Sequence, residues 1–264
     1  EPEVVEVLAA DSVTRLYGIV YLPFDREPGR KYPIISNVYP GPHVDLVPQA
    51  FTLDDNYNQS LAQLGFVVIN FAYRGSGPWR GRDFHTDYAL ADDMAAIRQI
   101  AARYPCADIE RVGIYGHSGG GFMTVAAMLN HPEFYKVGVA ASGNHDNNIY
   151  SQWWGETFHG VKQTWGKDGK PHFECHIPTN IELADRLAGR LLLITGDMDN
   201  NVHPASTARL ADALIRARKR FDMTVIPGAD HGLGNSYYVN LIRYYFTEHL
   251  LGLPQQEIDI VKHN

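Results

Sequence analysis

Apolar and polar positions along the chain alternate between two rhythms. Short, nearly continuous apolar runs at 33–39, 66–71, 112–115, 137–141, 190–195 and 221–226 are strand-length and rich in Val, Ile, Leu and Phe, which predicts buried strands. Between them lie stretches with helical spacing. These are 56–64, stopped by Gly65; 88–103, with Leu90, Met94, Ile97 and Ile100 on one face; a helix beyond 119 carrying Phe122, Val125, Ala126 and Leu129; 204–218; and 236–250. Residues 182–187 also read as helical. Ahead of them, 3–8 and 15–22 alternate as two antiparallel strands, and 23–32, with Pro28-Gly29, is a loop. Strand and helix alternate from 33 onward, so the expectation is an α/β fold in one domain, 1–264, with a mainly parallel twisted sheet and helices on both faces.

One stretch breaks the rhythm. Residues 142–179 are rich in Asn, His, Trp and Gly and are expected to be a long irregular insertion of the kind that covers or builds a site. Its aromatic residues Trp153, Trp154, Phe158 and Trp165 are either internal packing or the wall of a pocket.

The run at 112–115 leads into Gly116-His117-Ser118-Gly119-Gly120, a match to G-x-S-x-G between a strand and a helix. A serine at so sharp a turn takes a strained backbone, and a β-carbon at position 116 or 120 would collide with the neighbouring chain. The turn lifts the Ser118 hydroxyl above the sheet and aims the Gly119 N–H, at a helix N-terminus, at any oxyanion beside it. The plainer alternative is a glycine-rich turn with an incidental serine.

A serine becomes a useful nucleophile once a base takes its proton and a carboxylate orients that base. In an open parallel sheet those groups belong just past strand carboxyl ends. The strand at 190–195 runs into Gly196-Asp197-Met198-Asp199, and that at 221–226 into Pro227-Gly228-Ala229-Asp230-His231. Ser, Asp, His is the chain order of the α/β-hydrolases, with His231 as base and either Asp197 or Asp199 as its partner. Asp230 reads as a turn residue.

Composition narrows the classes. A net charge of −7 gives no footprint for nucleic acid, and no apolar run is long enough to span a membrane. Cys106 and Cys175 are too few for a disulfide framework, although one bridge between them fits. His172, Cys175 and His176 could be read as metal ligands, but no second pair lies at a structural zinc spacing, so a solvated loop is expected and no metal. Asn58-Gln59-Ser60 matches a glycosylation acceptor.

With Ser118, Asp199 and His231 together, the chain resembles the catalytic domain of the prolyl oligopeptidase family, in its dipeptidyl peptidase IV-like branch. NVYPGP at 37–42, FAYRGSG at 71–77, RVGIYGHSGGG at 111–121, DNNVHP at 199–204 and DHG at 230–232 carry the resemblance over nearly the whole chain. It implies an α/β-hydrolase fold and a serine peptidase acting on short peptides, dipeptidyl-peptidase-like, through an acyl-enzyme and with no cofactor. It also selects Asp199 over Asp197 and makes Tyr39 a second oxyanion donor beside Gly119. Asn201 falls near the substrate carbonyl, and Val202, Tyr150 and Trp154 fall along the P1 pocket.

Two departures alter what the resemblance implies. Proline-selective members carry a tyrosine after the nucleophile where this chain has Gly119, and a pocket tryptophan where it has Asn147. Both changes remove aromatic surface, which implies a wider or more polar P1 pocket. Family members also place a β-propeller ahead of this domain, and 1–264 contains none. The chain, which starts at Glu1 without methionine, is therefore expected to be a processed or excised C-terminal portion whose partner is the missing propeller of the same polypeptide. The resemblance further suggests a bacterial periplasmic or cell-envelope location and is compatible with a homo-oligomer. The competing classes are an esterase of the same fold and a non-catalytic binding domain that kept the motif.

Overall fold

The computed structural model describes residues 2–42, 44–48, 50, 57–76, 88–159, 161–174, 177–234 and 236–254. Its strands are β1 (Glu3–Leu8), β2 (Arg15–Tyr21), β3 (Tyr32–Asn37), β4 (Val67–Phe71), β5 (Ala107–His117), β6 (Tyr135–Ala141), β7 (Lys162–Trp165), β8 (Pro171–Glu174), β9 (Arg190–Gly196) and β10 (Asp222–Ile226). The helices are α1 (Asn58–Gln63), α2 (Tyr88–Arg103), α3 (Gly119–Asn130), α4 (Asn147–Tyr150), α5 (Gln152–Phe158), α6 (Ala205–Arg216) and α7 (Ser236–His249).

Eight strands form one sheet in the order β1-β2-β4-β3-β5-β6-β9-β10. β1, β2 and β4 pair antiparallel, and every pairing from β4 to β10 is parallel. The continuous apolar runs are explained by burial on both faces. Ile34, Ile69, Ile114 and Leu193 pack under α2, α3 and α6, while Ile35, Val68, Tyr115 and Ile194 pack under α1 and α7. This is the α/β-hydrolase arrangement. The elbow strand β5 lies inside the sheet, so turns at the carboxyl ends of β3, β5, β6, β9 and β10 converge above one edge.

Several boundaries differ from the expectation. β5 begins at Ala107, ahead of its apolar run, because buried Ala107 and half-buried Asp108 continue the ladder opposite Tyr32 and Pro33. Its register against β3 slips between Pro33 and Ile34, where the proline has no N–H to donate. Residues 181–186 form a 3-10 turn rather than an α-helix. Within 142–179, expected to be irregular, the described residues include four short regular elements. Asp146 accepts from the Asn148 N–H at 3.1 Å and Ser151 from the Trp154 N–H at 3.4 Å, capping α4 and α5, and β7 pairs with β8 as a hairpin. Those caps are Asx and Ser signals that were readable in the sequence.

The glycosylation reading of Asn58 fails on burial. The side chain is 1% exposed and its Oδ1 accepts from Asn37 Nδ2 at 2.9 Å and from the Tyr115 hydroxyl at 2.8 Å. Cys175 and His176, and with them the bridge and metal readings, lie outside the described residues, as do Gly77 and Asn56.

Below the sheet, fully buried Asp93 on α2 ties four elements together. It accepts from Ser36 Oγ at 2.5 Å and from the hydroxyls of Tyr73 and Tyr135 at 2.7 Å each. Burial raises its pKa, partly offset by those three donors. Asp93→Ala leaves three buried hydroxyls without an acceptor, so we expect a loss of about 3 kcal/mol or more in urea unfolding. A loss below about 1 kcal/mol would show that water or rearrangement replaces the carboxylate.

Candidate active site

The turn after β5 has the geometry its sequence called for. Ser118, the N-cap of α3, sits at φ 57° and ψ −120°, a conformation that L-residues rarely adopt. Its N–H continues the sheet by donating to Ala141 O at 2.8 Å, and its carbonyl accepts from the Phe122 N–H at 3.0 Å. A β-carbon at Gly116 would stand 2.5 Å from Val38 O and 2.6 Å from the Gly120 backbone, and one at Gly120 would collide with Val38 O. The loop after β3 therefore presses directly on the turn. Gly119 opens α3, where the first N–H groups have no partner inside the helix.

That pressing loop brings Tyr39 to the serine. The Tyr39 ring lies beside Gly119, and burial raises the phenol's pKa, partly offset by the nearby Ser118 side chain, so it stays protonated at neutral pH and able to donate. Among the described residues, a β-carbon on Gly119 would meet only the Tyr39 ring, at 3.8 Å and beyond, which is ordinary contact. The missing side chain at Gly119 is not demanded by packing. It leaves open space next to the serine.

His231 and Asp199 come from the turns after β10 and β9. His231 Nδ1 lies 2.8 Å from Asp199 Oδ2, and the Asp199 side chain is fully buried. Its other oxygen accepts from the N–H groups of Asn201 at 3.0 Å and Val202 at 2.9 Å. The side chain is thus oriented by its own loop through one oxygen and meets the imidazole with the other. Asp197, the sequence competitor, turns elsewhere and accepts from the Gly228 N–H at 2.6 Å, tying the β9 turn to the loop that carries His231. Asp230 accepts from the Gly232 N–H at 3.0 Å, as a turn residue does.

The remaining expected site residues divide. The Tyr150 hydroxyl donates to Asn201 Oδ1 at 2.8 Å, and its pKa is raised by burial and by Tyr39 and Asp199 within electrostatic reach. Trp154 packs with Tyr150 at a centroid distance of 6.2 Å, with Phe158 at 4.4 Å and with Trp153 at 6.5 Å. These four rings form one cluster beside the site. Trp165 is not part of it: it lies on the β7–β8 hairpin and is 69% exposed. Val202 is buried, and Asn147 is 6% exposed with its Oδ1 accepting from Asn144 Nδ2 at 2.5 Å. His172 lies on the exposed hairpin, 3.7 Å from Asp168, and among the described residues no group of His, Cys, Asp and Glu is arranged to hold a metal ion.

Two histidines escaped the sequence reading. His117, the variable residue of the motif, places Nε2 2.5 Å from the carbonyl of His231. His145 is fully buried behind the elbow. Its Nδ1 accepts from Asn180 Nδ2 at 3.1 Å, while its Nε2 finds no partner among the described residues. The proximity of His145 to β6 was available as a signal, but it is flanked by the polar Asn144 and Asp146, and nothing in the spacing distinguished it from other insertion residues.

A family model described as the prolyl oligopeptidase family matches residues 52–253. Human dipeptidyl peptidase 8 is 30% identical over 254 residues, 90% of this chain and 28% of its own length. A Bacteroides ovatus protein assigned to the dipeptidyl aminopeptidase IV type superposes with a TM-score of 0.82 at 29% identity, over 95% of this chain and 36% of that one. Porphyromonas gingivalis dipeptidyl peptidase 4 gives 0.75 at 27% identity, over 88% of this chain and 32% of that one. The chain spans about a third or less of the length of these relatives.

Burial pushes the His145 pKa down from 6.5 to about 3. A group depressed in this way supports the fold fully above its unfolded pKa and loses that support as pH falls from 6.5 toward 3. Between pH 7 and 5 we expect this residue alone to remove about 2 kcal/mol from urea stability. His145→Gln should flatten that slope; equal slopes in the two proteins would refute the assignment.

Proposed function

Because the chain belongs to the prolyl oligopeptidase family, we propose that it is the catalytic portion of a serine peptidase that removes dipeptides from the amino ends of short peptides. The observation that carries this reading is the 2.8 Å contact between His231 and Asp199, formed by two turns that flank a strained serine elbow. Ser118 attacks the scissile carbonyl while its proton passes to Nε2 of His231. Asp199 holds the Nδ1–H, so the imidazole keeps the tautomer that accepts at Nε2 and the imidazolium is stabilised once formed. The tetrahedral oxyanion takes hydrogen bonds from the Gly119 N–H and the Tyr39 hydroxyl. Tyr39 is a neutral donor whose bond strengthens as charge builds on the oxygen. His231 then gives its proton to the leaving amine, and water releases the acyl group by the reverse sequence.

The Tyr150–Asn201 bond supports a positioning role. Asn201 Oδ1 is taken up by the Tyr150 hydroxyl, which turns its Nδ2 outward as a donor for a substrate carbonyl. The aromatic cluster of Tyr150 and Trp154 forms one side of the P1 pocket. At Gly119 and Asn147 there is no ring to clamp a pyrrolidine, so the pocket accepts P1 residues other than proline. A domain in the rest of the polypeptide holds the peptide's amino terminus and restricts substrate size.

The test is hydrolysis of dipeptidyl anilides with P1 varied among Pro, Ala and larger apolar residues, beside simple aryl esters. Ala or a larger residue should be preferred to Pro. Ser118→Ala should lose at least about a thousandfold in kcat/KM without unfolding. Ester cleavage without amide cleavage, in this chain and in the full polypeptide, would replace the peptidase by an esterase. In a separate variant, Tyr39→Phe should lower kcat about a hundredfold with KM little changed, and wild-type kcat there would remove Tyr39 from the oxyanion hole.

A further inference from the structure

The proposed base and nucleophile sit on separate loops, and catalysis needs their distance held to a fraction of an ångström. Much of what fixes the His231 loop ties it to the turn after β9. Asp199 holds the imidazole, Asp197 accepts from the Gly228 N–H, and the Met198 N–H donates to Ala229 O at 3.0 Å. These bonds set His231 relative to its carboxylate and say nothing about Ser118.

His117 bridges the other gap. It is the last residue of β5 and is covalently joined to Ser118. Its Nε2 approaches the main-chain carbonyl of His231 at 2.5 Å, across 114 residues of sequence. A carbonyl can only accept, so the proton lies on Nε2 of His117. The two imidazole rings are 4.6 Å apart between centroids and tilted by 53°. Resting on the reading of Ser118 and His231 as nucleophile and base, we propose that His117 is a positioning residue that fixes the base against the nucleophile's own strand. Its Nε2–H does so by holding the His231 carbonyl. The charged and titratable groups facing it are the His231 ring and, beyond it, Asp199; burial lowers the His117 pKa, which keeps a second positive charge away from the imidazolium formed during turnover.

The role belongs to the donor and not to the ring, and this distinguishes it from packing. Phe in place of His117 keeps the ring and removes the donor, whereas Gln supplies an amide N–H at similar reach. His117→Phe should lose about 10- to 100-fold in kcat with KM within about twofold, and His117→Gln should recover most of that loss. Thermal midpoints near that of the unsubstituted protein are expected for both. Full kcat in the Phe variant, or equal loss in Phe and Gln, would overturn the proposal. Should the Phe variant fail to fold, nitrogen-15 NMR of the histidine rings in the unsubstituted protein decides, with the His117 resonances identified by their loss in His117→Gln. His117 protonated at Nε2 and bare at Nδ1 above pH 7 supports the assignment, and the opposite tautomer refutes it. Ser118→Ala is measured alongside. Retained hydrolysis there would sink the serine-peptidase reading itself, whereas an inactive Ser118→Ala beside a fully active His117→Phe would sink the present inference alone.

Discussion

A non-glycine residue held at φ 57° is the constraint on which the rest of the molecule turns. Such a conformation costs of the order of 1–3 kcal/mol and persists because its surroundings leave no alternative. Here the surroundings are specific. Val38 O fills the space that side chains at positions 116 and 120 would need, β6 takes the Ser118 N–H, and α3 begins at the next residue. The strained turn is therefore a joint product of β3, β5, β6 and α3. The same contact brings the Tyr39 ring beside Gly119, next to the serine.

Around this turn, burial repeatedly selects the neutral form of a titratable group. Tyr39 is kept as a phenol and His145 as an uncharged imidazole, and burial drives the His117 pKa downward as well. At Asp199 the loop supplies two N–H donors and His231 a third contact, so the buried side chain is satisfied without a cation of fixed charge. Asp93 shows the other solution under the sheet, with three hydroxyl donors and a raised pKa. The same residue type thus meets two sets of donors, backbone N–H groups and an imidazole at Asp199 and three side-chain hydroxyls at Asp93.

Much of this was legible in the chain. The buried strands were readable because both faces of the sheet are covered, which turns alternation into continuous apolar runs such as 190–195. The elbow was readable because so few residue types fit at positions 116 and 120. Distance along the chain hid other features. Nothing local shows that Asn58 turns inward to Asn37 and Tyr115, or that Asp197 reaches Gly228 while Asp199 reaches His231. The order within 142–179 was underestimated, since helices this short owe their existence to caps at Asp146 and Ser151 more than to periodicity. Trp165 was grouped with its neighbours by composition, whereas the hairpin carries it away from them.

The strand order also fixes the sequence in which the protein becomes itself during synthesis. β5 and β6 emerge early, but the neighbour of β6 is β9, with the entire insertion made in between, and β10 comes last. A nascent chain complete as far as β6 already displays Ser118, yet its sheet edge is bare and neither Asp199 nor His231 has left the ribosome. On the proposed assignment that intermediate is chemically inert. On the same assignment, the three side chains come together only once the last strand and the turn after it are made, so the topology places their assembly near the end of the domain's translation.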